Sequence, residues 1–196
     1  MARTTPAEAL ALLKAGNARF VAGTPTSDRL SPRIAELANG QSPFAVILGC
    51  SDSRVPIETV FDQAPGNLFV VRVAGNFLNG DNLGSIEYGV SVLLARLVVV
   101  LGHGGCGAVT AALAYVEDGA EQRGHIQGIV ATLSPAVRAA QALPGEWLDN
   151  AIAENVRITV AAMTAGSKII ADPVEAGEVQ VIGGIYDVTT GRVAFS

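Results

Sequence analysis

Two short stretches of the sequence hold most of the side chains that could do chemistry. Cys50, Asp52 and Arg54 lie in C-S-D-S-R, directly after the apolar run F-A-V-I-L-G. His103 and Cys106 lie in G-H-G-G-C-G, directly after a second apolar run, L-V-V-V-L. The chain has only these two cysteines, and His103 is one of its two histidines. In an open parallel sheet, ligands bind at the carboxyl ends of strands, which is where both stretches are expected to lie.

Two thiolates and one imidazole are a donor set that zinc favours. A catalytic zinc site has three protein ligands and leaves one position for water or substrate. Cys50 would supply one ligand, and the H-x-x-C of His103 and Cys106 the other two, if the two strands are neighbours. Two buried structural cysteines with a capping histidine are the alternative. A thiol redox pair is a further option, although C-x-x-C is absent and the cysteines lie 56 positions apart. We interpret the group as a zinc site.

Asp52 and Arg54 follow the first of these cysteines on the same loop. As a carboxylate, Asp52 could accept a hydrogen bond from zinc-bound hydroxide, or it could occupy the fourth zinc position itself. Arg54 can hold Asp52 ionised through a bidentate pair. Alternatively, Asp52 caps the next short helix and Arg54 makes a salt bridge within the loop.

Composition bounds the class of protein. The 196 residues correspond to one domain by length, and 49% are hydrophobic while 16% are charged. No apolar run reaches the roughly 18 residues of a membrane span, so the mean hydropathy of +0.39 suggests a buried sheet or a subunit interface. The net charge of −5 argues against nucleic acid or an anionic membrane as a partner. The first residues lack the apolar core of a signal peptide, and two cysteines suggest a reducing compartment, so we expect a cytoplasmic protein.

Apolar strand patterns alternate with helical patterns along the chain. This alternation predicts an α/β fold with a mainly parallel sheet flanked by helices and joined by right-handed crossovers. A final hairpin adds an antiparallel C-terminal edge. The predicted strands are 44–49, 68–73, 97–101, 179–188 and 192–195, with a possible short one at 167–171. The predicted helices begin at Pro6, with a Thr5–Glu8 capping box, and cover 31–37, 56–61, 81–96, 106–116, 124–142 (interrupted at Pro135) and 146–165.

Four other side chains are informative singly. Arg72 lies in an apolar strand, where an unpaired charge is costly, so it should have a carboxylate or carbonyl partner. His125 is expected at the surface or at a helix start. Phe69 and Tyr88 are by default core aromatics.

The two motifs together resemble those of the β-class carbonic anhydrases, which carry C-x-D-x-R and H-x-x-C. The resemblance extends to G-N-A-R-F-V-A-G, F-V-V-R-V-A-G-N, S-I-E-Y-G-V, L-G-H-G-G-C-G-A-V and V-I-G-G-I-Y-D-V-T-T-G. It covers nearly the whole chain, in order.

This resemblance implies an enzyme that reversibly hydrates CO2 to bicarbonate and a proton. One Zn2+ per subunit would be bound by Cys50, His103 and Cys106, and zinc hydroxide would attack the carbon of CO2. Asp52 and Arg54 would form the catalytic dyad of the family.

The plant-like branch of the family lines its substrate pocket with a Gln, a Phe and a Tyr. By position these correspond to Gln41, Phe69 and Tyr88. Another branch has an inhibitory bicarbonate site with a Trp three residues before the first cysteine. Ile47 stands there in this chain, which argues against that inhibition although Arg72 is present.

Family members form homodimers, often paired into homotetramers, with active sites at the dimer interface. The resemblance therefore implies one domain over 1–196, whose residues 1–40 form a helical arm on the partner. Alternatives are a relative of the same fold acting on CS2, a non-catalytic zinc protein in which Asp52 closes a four-ligand site, and a redox sensor using both cysteines. Structural zinc does not need Asp52, Arg54, Phe69 and Tyr88, so their presence together argues against the second alternative.

Overall fold

One five-stranded sheet organises the computed structural model, which describes residues 4–26, 35 and 37–196. Its strands are β1 (Ala45–Gly49), β2 (Leu68–Arg72), β3 (Leu97–His103), β4 (Gln180–Tyr186) and β5 (Val193–Phe195). They lie in the order β2-β1-β3-β4-β5, and every neighbouring pair is parallel except β4 with β5. The predicted parallel sheet with an antiparallel C-terminal edge is confirmed.

Helices cover both faces of this sheet. They are α1 (Pro6–Val21), α2 (Ile57–Val60), α3 (Gly80–Ser91), α4 (Gly107–Asp118), α5 (Ile126–Ala140), α6 (Trp147–Gly166) and α7 (Lys168–Glu175). On one face Ile47 and Val99 pack in a core with Leu13 of α1. On the other face Val46 and Val98 pack in a core with helical residues that include Ile86 and Met163. Because successive side chains of a strand point to opposite faces, β1 and β3 are apolar at every position before His103.

The register of β1 against β3 decides where the chemical groups meet. Ala45 pairs with Leu97 and Gly49 with Leu101, so the two strands run side by side in the same direction. Their carboxyl ends therefore lie at the same edge of the sheet. Gly102 makes a close approach to α6 possible, since a Cβ there would lie 2.7 Å from the Val156 Cγ2 atom.

The start of α1 agrees with the prediction made from the sequence. The Thr5 N–H donates to the Glu8 carboxylate over 2.7 Å, and the Glu8 N–H donates to the Thr5 hydroxyl over 3.3 Å, so the predicted capping box is present. The predicted helix at 31–37 falls mainly outside the described residues. Of the described helices, none combines the length and apolar character that a membrane span requires.

Three predicted elements differ from the structure. The helix predicted over 81–96 ends at Ser91, because Leu94 has φ +63° and the Ala95 N–H bonds back to the Gly89 carbonyl oxygen. The possible strand at 167–171 is wrong. That segment belongs to α7, where Ile170 is buried in a helix instead of pairing with a strand. Helix α5 continues through Pro135 without interruption.

The contact between α1 and α2 allows a stability prediction. A Cβ at Gly16 would lie only 1.8 Å from the Phe61 carbonyl oxygen, a main-chain atom. We expect Gly16→Ala to lower the free energy of unfolding by about 3 kcal/mol or more, because α1 must move off the core. The control is Gly128→Ala in α5, where a Cβ meets nothing within 4 Å. That change should stabilise by up to about 1 kcal/mol. Urea unfolding measures both, and equal effects would contradict the packing argument.

Candidate metal centre

Three buried donor atoms meet at the carboxyl edge of the sheet. Cys50 directly follows β1, His103 is the last residue of β3, and Cys106 is the N-cap of α4. All three are at most 4% exposed, and their donor atoms lie within 4.8 Å of one another. The chain thus brings together the three residues that the sequence predicted as metal ligands, and this group could hold a metal ion.

The spacing of the donor atoms fits a tetrahedral ion. Two sulfurs bound to one zinc at about 2.3 Å lie about 3.8 Å apart. The Cys50 and Cys106 Sγ atoms are 4.0 Å apart. The His103 Nδ1 atom lies 3.1 Å from the Gly104 carbonyl oxygen, to which it can donate, and this tautomer leaves the lone pair on Nε2. Within the described part of the chain, the buried Nε2 atom has no hydrogen-bond partner. An unsatisfied buried nitrogen beside two sulfurs is the arrangement expected of a metal ligand.

The two thiols are electrostatically unequal. The neighbouring Cys106 thiol, the nearby His103 imidazole and the Gly75 N–H lower the pKa of Cys50, although burial opposes ionisation. The hydrogen bond with Cys50, together with burial, raises the pKa of Cys106. Cys50 is therefore the more acidic of the two thiols. A bound divalent cation would remove the proton from both thiols, because a coordinating thiol is deprotonated outright.

Asp52 and Arg54 form a bidentate ion pair at the mouth of this centre. Arg54 Nε donates to Asp52 Oδ1 over 3.0 Å, and Arg54 Nη2 donates to Oδ2 over 2.7 Å. The pair holds the pKa of Asp52 well below its usual range. Asp52 Oδ2 lies 3.9 Å from His103 Nε2, and its side chain is 17% exposed. Asp52 does not cap α2, whose N-cap is Pro56 without a side-chain hydrogen bond. The carboxylate is thus ionised, held on both oxygens and next to the donor group.

Arg72 has the carbonyl partners that its place in the sequence predicts. Its Nε donates to the Cys50 carbonyl oxygen over 2.9 Å, and its Nη2 donates to the Asp52 carbonyl oxygen over 2.7 Å. The guanidinium at the end of β2 therefore fixes the loop that carries both Cys50 and Asp52. His125 lies exposed at the start of α5, and its side chain makes no cap.

The three predicted pocket residues lie apart from the donor group of their own chain. Gln41 lines a polar cleft with Ser42 and Asn67. Phe69 and Tyr88 form a ring pair with centroids 6.1 Å apart. Tyr88 is 48% exposed, so its default interpretation as a core aromatic is wrong.

The strand register places this ring pair along the sheet. Phe69 lies opposite Val46, four residues before Cys50. At about 3.3 Å per residue, that is about 13 Å from the level of Cys50 along the strand. The ring pair therefore lies toward the amino end of β1, while the donor group lies at the carboxyl end.

Sequence reasoning missed three residues around Cys50. The Gly75 N–H donates to the Cys50 Sγ over 3.3 Å, and Asn155 of α6 donates to the Gly75 carbonyl oxygen over 2.8 Å. Asn76 is buried with φ +41°, and within the described residues its Nδ2 atom has no partner. The Gly-Asn pair after β2 is a turn signal that could have drawn attention to Gly75 and Asn76. For Asn155 the sequence offers one signal, which is that an asparagine lies in the interior of a long helix.

Comparison with known proteins decides the family. A model of the carbonic anhydrase family matches residues 45–193. The chain is 43% identical over 193 residues to Carbonic anhydrase 2 of Mycobacterium tuberculosis, covering 98% of this chain and 93% of that protein. This chain belongs to the β-class carbonic anhydrases.

Solved structures of β-carbonic anhydrases share the fold. The β-carbonic anhydrase CafA of Aspergillus fumigatus superposes with a TM-score of 0.72 at 28% identity, covering 97% of this chain and 89% of that one. Tetrameric β-carbonic anhydrases of Sordaria macrospora match with a TM-score of 0.68 at 26% identity, covering 84% of this chain and 86% of theirs. The family that the sequence resembles is therefore confirmed. So is the predicted α/β fold.

Proposed function

We propose that this protein reversibly hydrates CO2 to bicarbonate and a proton, using one zinc ion bound by Cys50, His103 and Cys106. The observation that carries the proposal is the buried donor group. Within the described residues His103 Nε2 has no hydrogen-bond partner, and the Cys50 and Cys106 sulfurs are about as far apart as two sulfurs bound to one zinc ion. Family membership supports the substrate. Two thiolates and a neutral imidazole leave the site with no net charge when Zn2+ is bound, which suits a neutral substrate.

Zinc, when bound, acts as a Lewis acid and makes water acidic enough to be a nucleophile near neutral pH. Asp52 then accepts a hydrogen bond from the attacking water and orients its lone pair toward the carbon of CO2. Arg54 keeps Asp52 ionised and prevents it from turning to the donor group, since both carboxylate oxygens are already bonded. As the oxygen–carbon bond forms, one C=O electron pair moves to oxygen and a proton leaves to solvent.

The exposed ring pair supports a shared active site. Phe69 and Tyr88 lie about 13 Å along the strand from the level of Cys50, and Tyr88 is half exposed. We infer that they and Gln41 line the CO2 pocket at the interface of a homodimer, with the ring pair serving the donor group of the partner subunit. Residues 1–40 would be the arm of this single domain that packs on the partner, and two dimers could pair into a tetramer.

The state of the two cysteines indicates the cellular compartment of the protein. Cys50 and Cys106 are both free thiols in the described structure. Free thiols persist in a reducing compartment, so we propose the cytoplasm as the site of the reaction.

A mixed dimer tests the shared site. Asp52→Asn and Tyr88→Ala should each lower CO2 hydration in homodimers. A heterodimer of the two variants, isolated with two different tags, should regain about half of the wild-type rate, because one of its two sites is intact. If each site belongs to one chain, every site carries a defect and no activity returns. Wild-type chains carrying both tags are the control.

The direct test of the activity is stopped-flow CO2 hydration by the purified protein, with zinc content measured on the same sample. We expect fast turnover at one zinc per chain, abolished by a sulfonamide that binds zinc. Zinc binding without CO2 turnover at any pH would contradict the proposal. Hydrolysis of CS2 by the same sample would then indicate that CS2 is the substrate. If CS2 is not hydrolysed either, the zinc is structural.

A further inference from the structure

One main-chain donor reaches the sulfur of Cys50 from a different segment. The Gly75 N–H lies 3.3 Å from the Cys50 Sγ, in the turn that follows β2. Sulfurs bound to a metal are tuned by such donors, because an N–H···S hydrogen bond draws electron density from the thiolate. The direction of this N–H therefore affects how strongly Cys50 donates to the ion.

The turn is held in an unusual conformation. Gly75 has φ +83° and Asn76 has φ +41°, and the second value is costly for a residue other than glycine. A Cβ at Gly75 would lie 2.7 Å from the Leu133 Cδ1 atom, so α5 presses closely on the turn. The Asn76 N–H closes the turn on the Val73 carbonyl oxygen over 2.9 Å. A strained turn of this kind persists only where its surroundings fix it.

Asn155 supplies a fixing contact from far along the chain. Its Nδ2 atom donates to the Gly75 carbonyl oxygen over 2.8 Å, and both groups are buried. Asn155 is 4% exposed in the middle of α6, where an amide is otherwise unfavourable. The hydrogen bond anchors the peptide that follows Gly75, while the N–H that reaches Cys50 belongs to the peptide before it.

We propose that Asn155 is a positioning residue for the metal centre, acting through Gly75 on the Cys50 sulfur. By fixing the left-handed turn, it keeps the Gly75 N–H directed at the sulfur and so limits the electron density that Cys50 gives to the ion. The inference rests on the proposed zinc site, but it does not require that CO2 is the substrate.

The test uses the full-length protein with Co2+ in place of zinc. Absorption from sulfur-to-cobalt charge transfer reports the electron density on each thiolate. We expect Asn155→Leu to shift the Cys50 component to lower energy, while the Cys106 component stays in place. Metal affinity should nevertheless fall by about 10-fold, because Cys50 is no longer held in its binding geometry. If Asn155→Leu does not fold, Asn155→Ala, which is smaller and has no side-chain donor, is expected to give the same shift.

The control is Val156→Ala, the neighbouring buried residue of α6. It should lower thermal stability without moving either absorption component. If the Asn155 variants lose stability but keep the wild-type spectrum, Asn155 is only structural and the proposal is overturned. Wild-type protein that binds Co2+ but does not hydrate CO2 would overturn the proposed function alone. In that case the spectral comparison would still decide the role of Asn155.

Discussion

Replacing Asp52 with asparagine is expected to lower kcat/KM for CO2 hydration by about 100-fold or more. The substitution keeps the shape but removes the negative charge that Arg54 holds in place. The attacking water then loses its strong acceptor. Zinc occupancy should remain complete, because Asp52 lies outside the three-residue donor group. Stopped-flow kinetics and metal analysis of the same preparation measure both quantities.

A matched control separates this role from a general effect of charge. Asp172 is an exposed residue of α7, and Asp172→Asn should leave the rate unchanged. Should the Asp52 variant turn over at the wild-type rate with full zinc, the carboxylate is no part of the reaction. Loss of zinc from that variant would instead make Asp52 a ligand and contradict the assignment made here.

The second large effect is expected from Cys106→Ser, which should lose metal and stability together. A serine hydroxyl stays protonated near neutral pH and is a poor zinc ligand, so the site keeps one thiolate and one imidazole. We expect zinc affinity to fall by at least about 100-fold, because binding free energy at such a site is coupled to folding. Metal content after dialysis and the thermal midpoint with and without a chelator measure the effect. The chelator should lower the midpoint of the wild-type protein and leave that of the variant unchanged.

Val109→Ala provides the comparison for the second prediction. Val109 is buried in the same apolar cluster as Cys106, so its truncation should lower the thermal midpoint without removing zinc. Full zinc occupancy in the Cys106 variant would rule the residue out as a ligand.

The donor group was accessible from sequence because rare residue types follow two strand-like runs. Parallel strands bring such ends to one edge, and the pairing of β1 with β3 supplies the adjacency that the prediction required. The chemical type of the partner of Arg72, a carbonyl or a carboxylate, could be predicted because a charge in an apolar strand must be compensated. Which two carbonyls it contacts depends on the loop, which no spacing rule describes.

Other features of the structure could not be predicted, because the sequence around them contains no signal for them. Asn155 and Gly75 lie 80 positions apart, and nothing in either segment indicates the other. The segment 167–171 was too short to distinguish strand from helix, and burial of Ile170 favours the helix. The exposure of Tyr88 contradicts the default that places an aromatic side chain in the core.

The two hydrogen bonds of Arg72 connect two points of the loop after β1 to one side chain. One guanidinium bonds to the main-chain carbonyl groups of both Cys50 and Asp52, so it links the two residues to each other. That guanidinium stands at the end of β2, which is the outermost strand of the sheet on its side. A displacement of this strand would therefore shift both residues at once. The spacing of Cys50 and Asp52 is thus set within the loop, whereas the position of the two residues follows the strand.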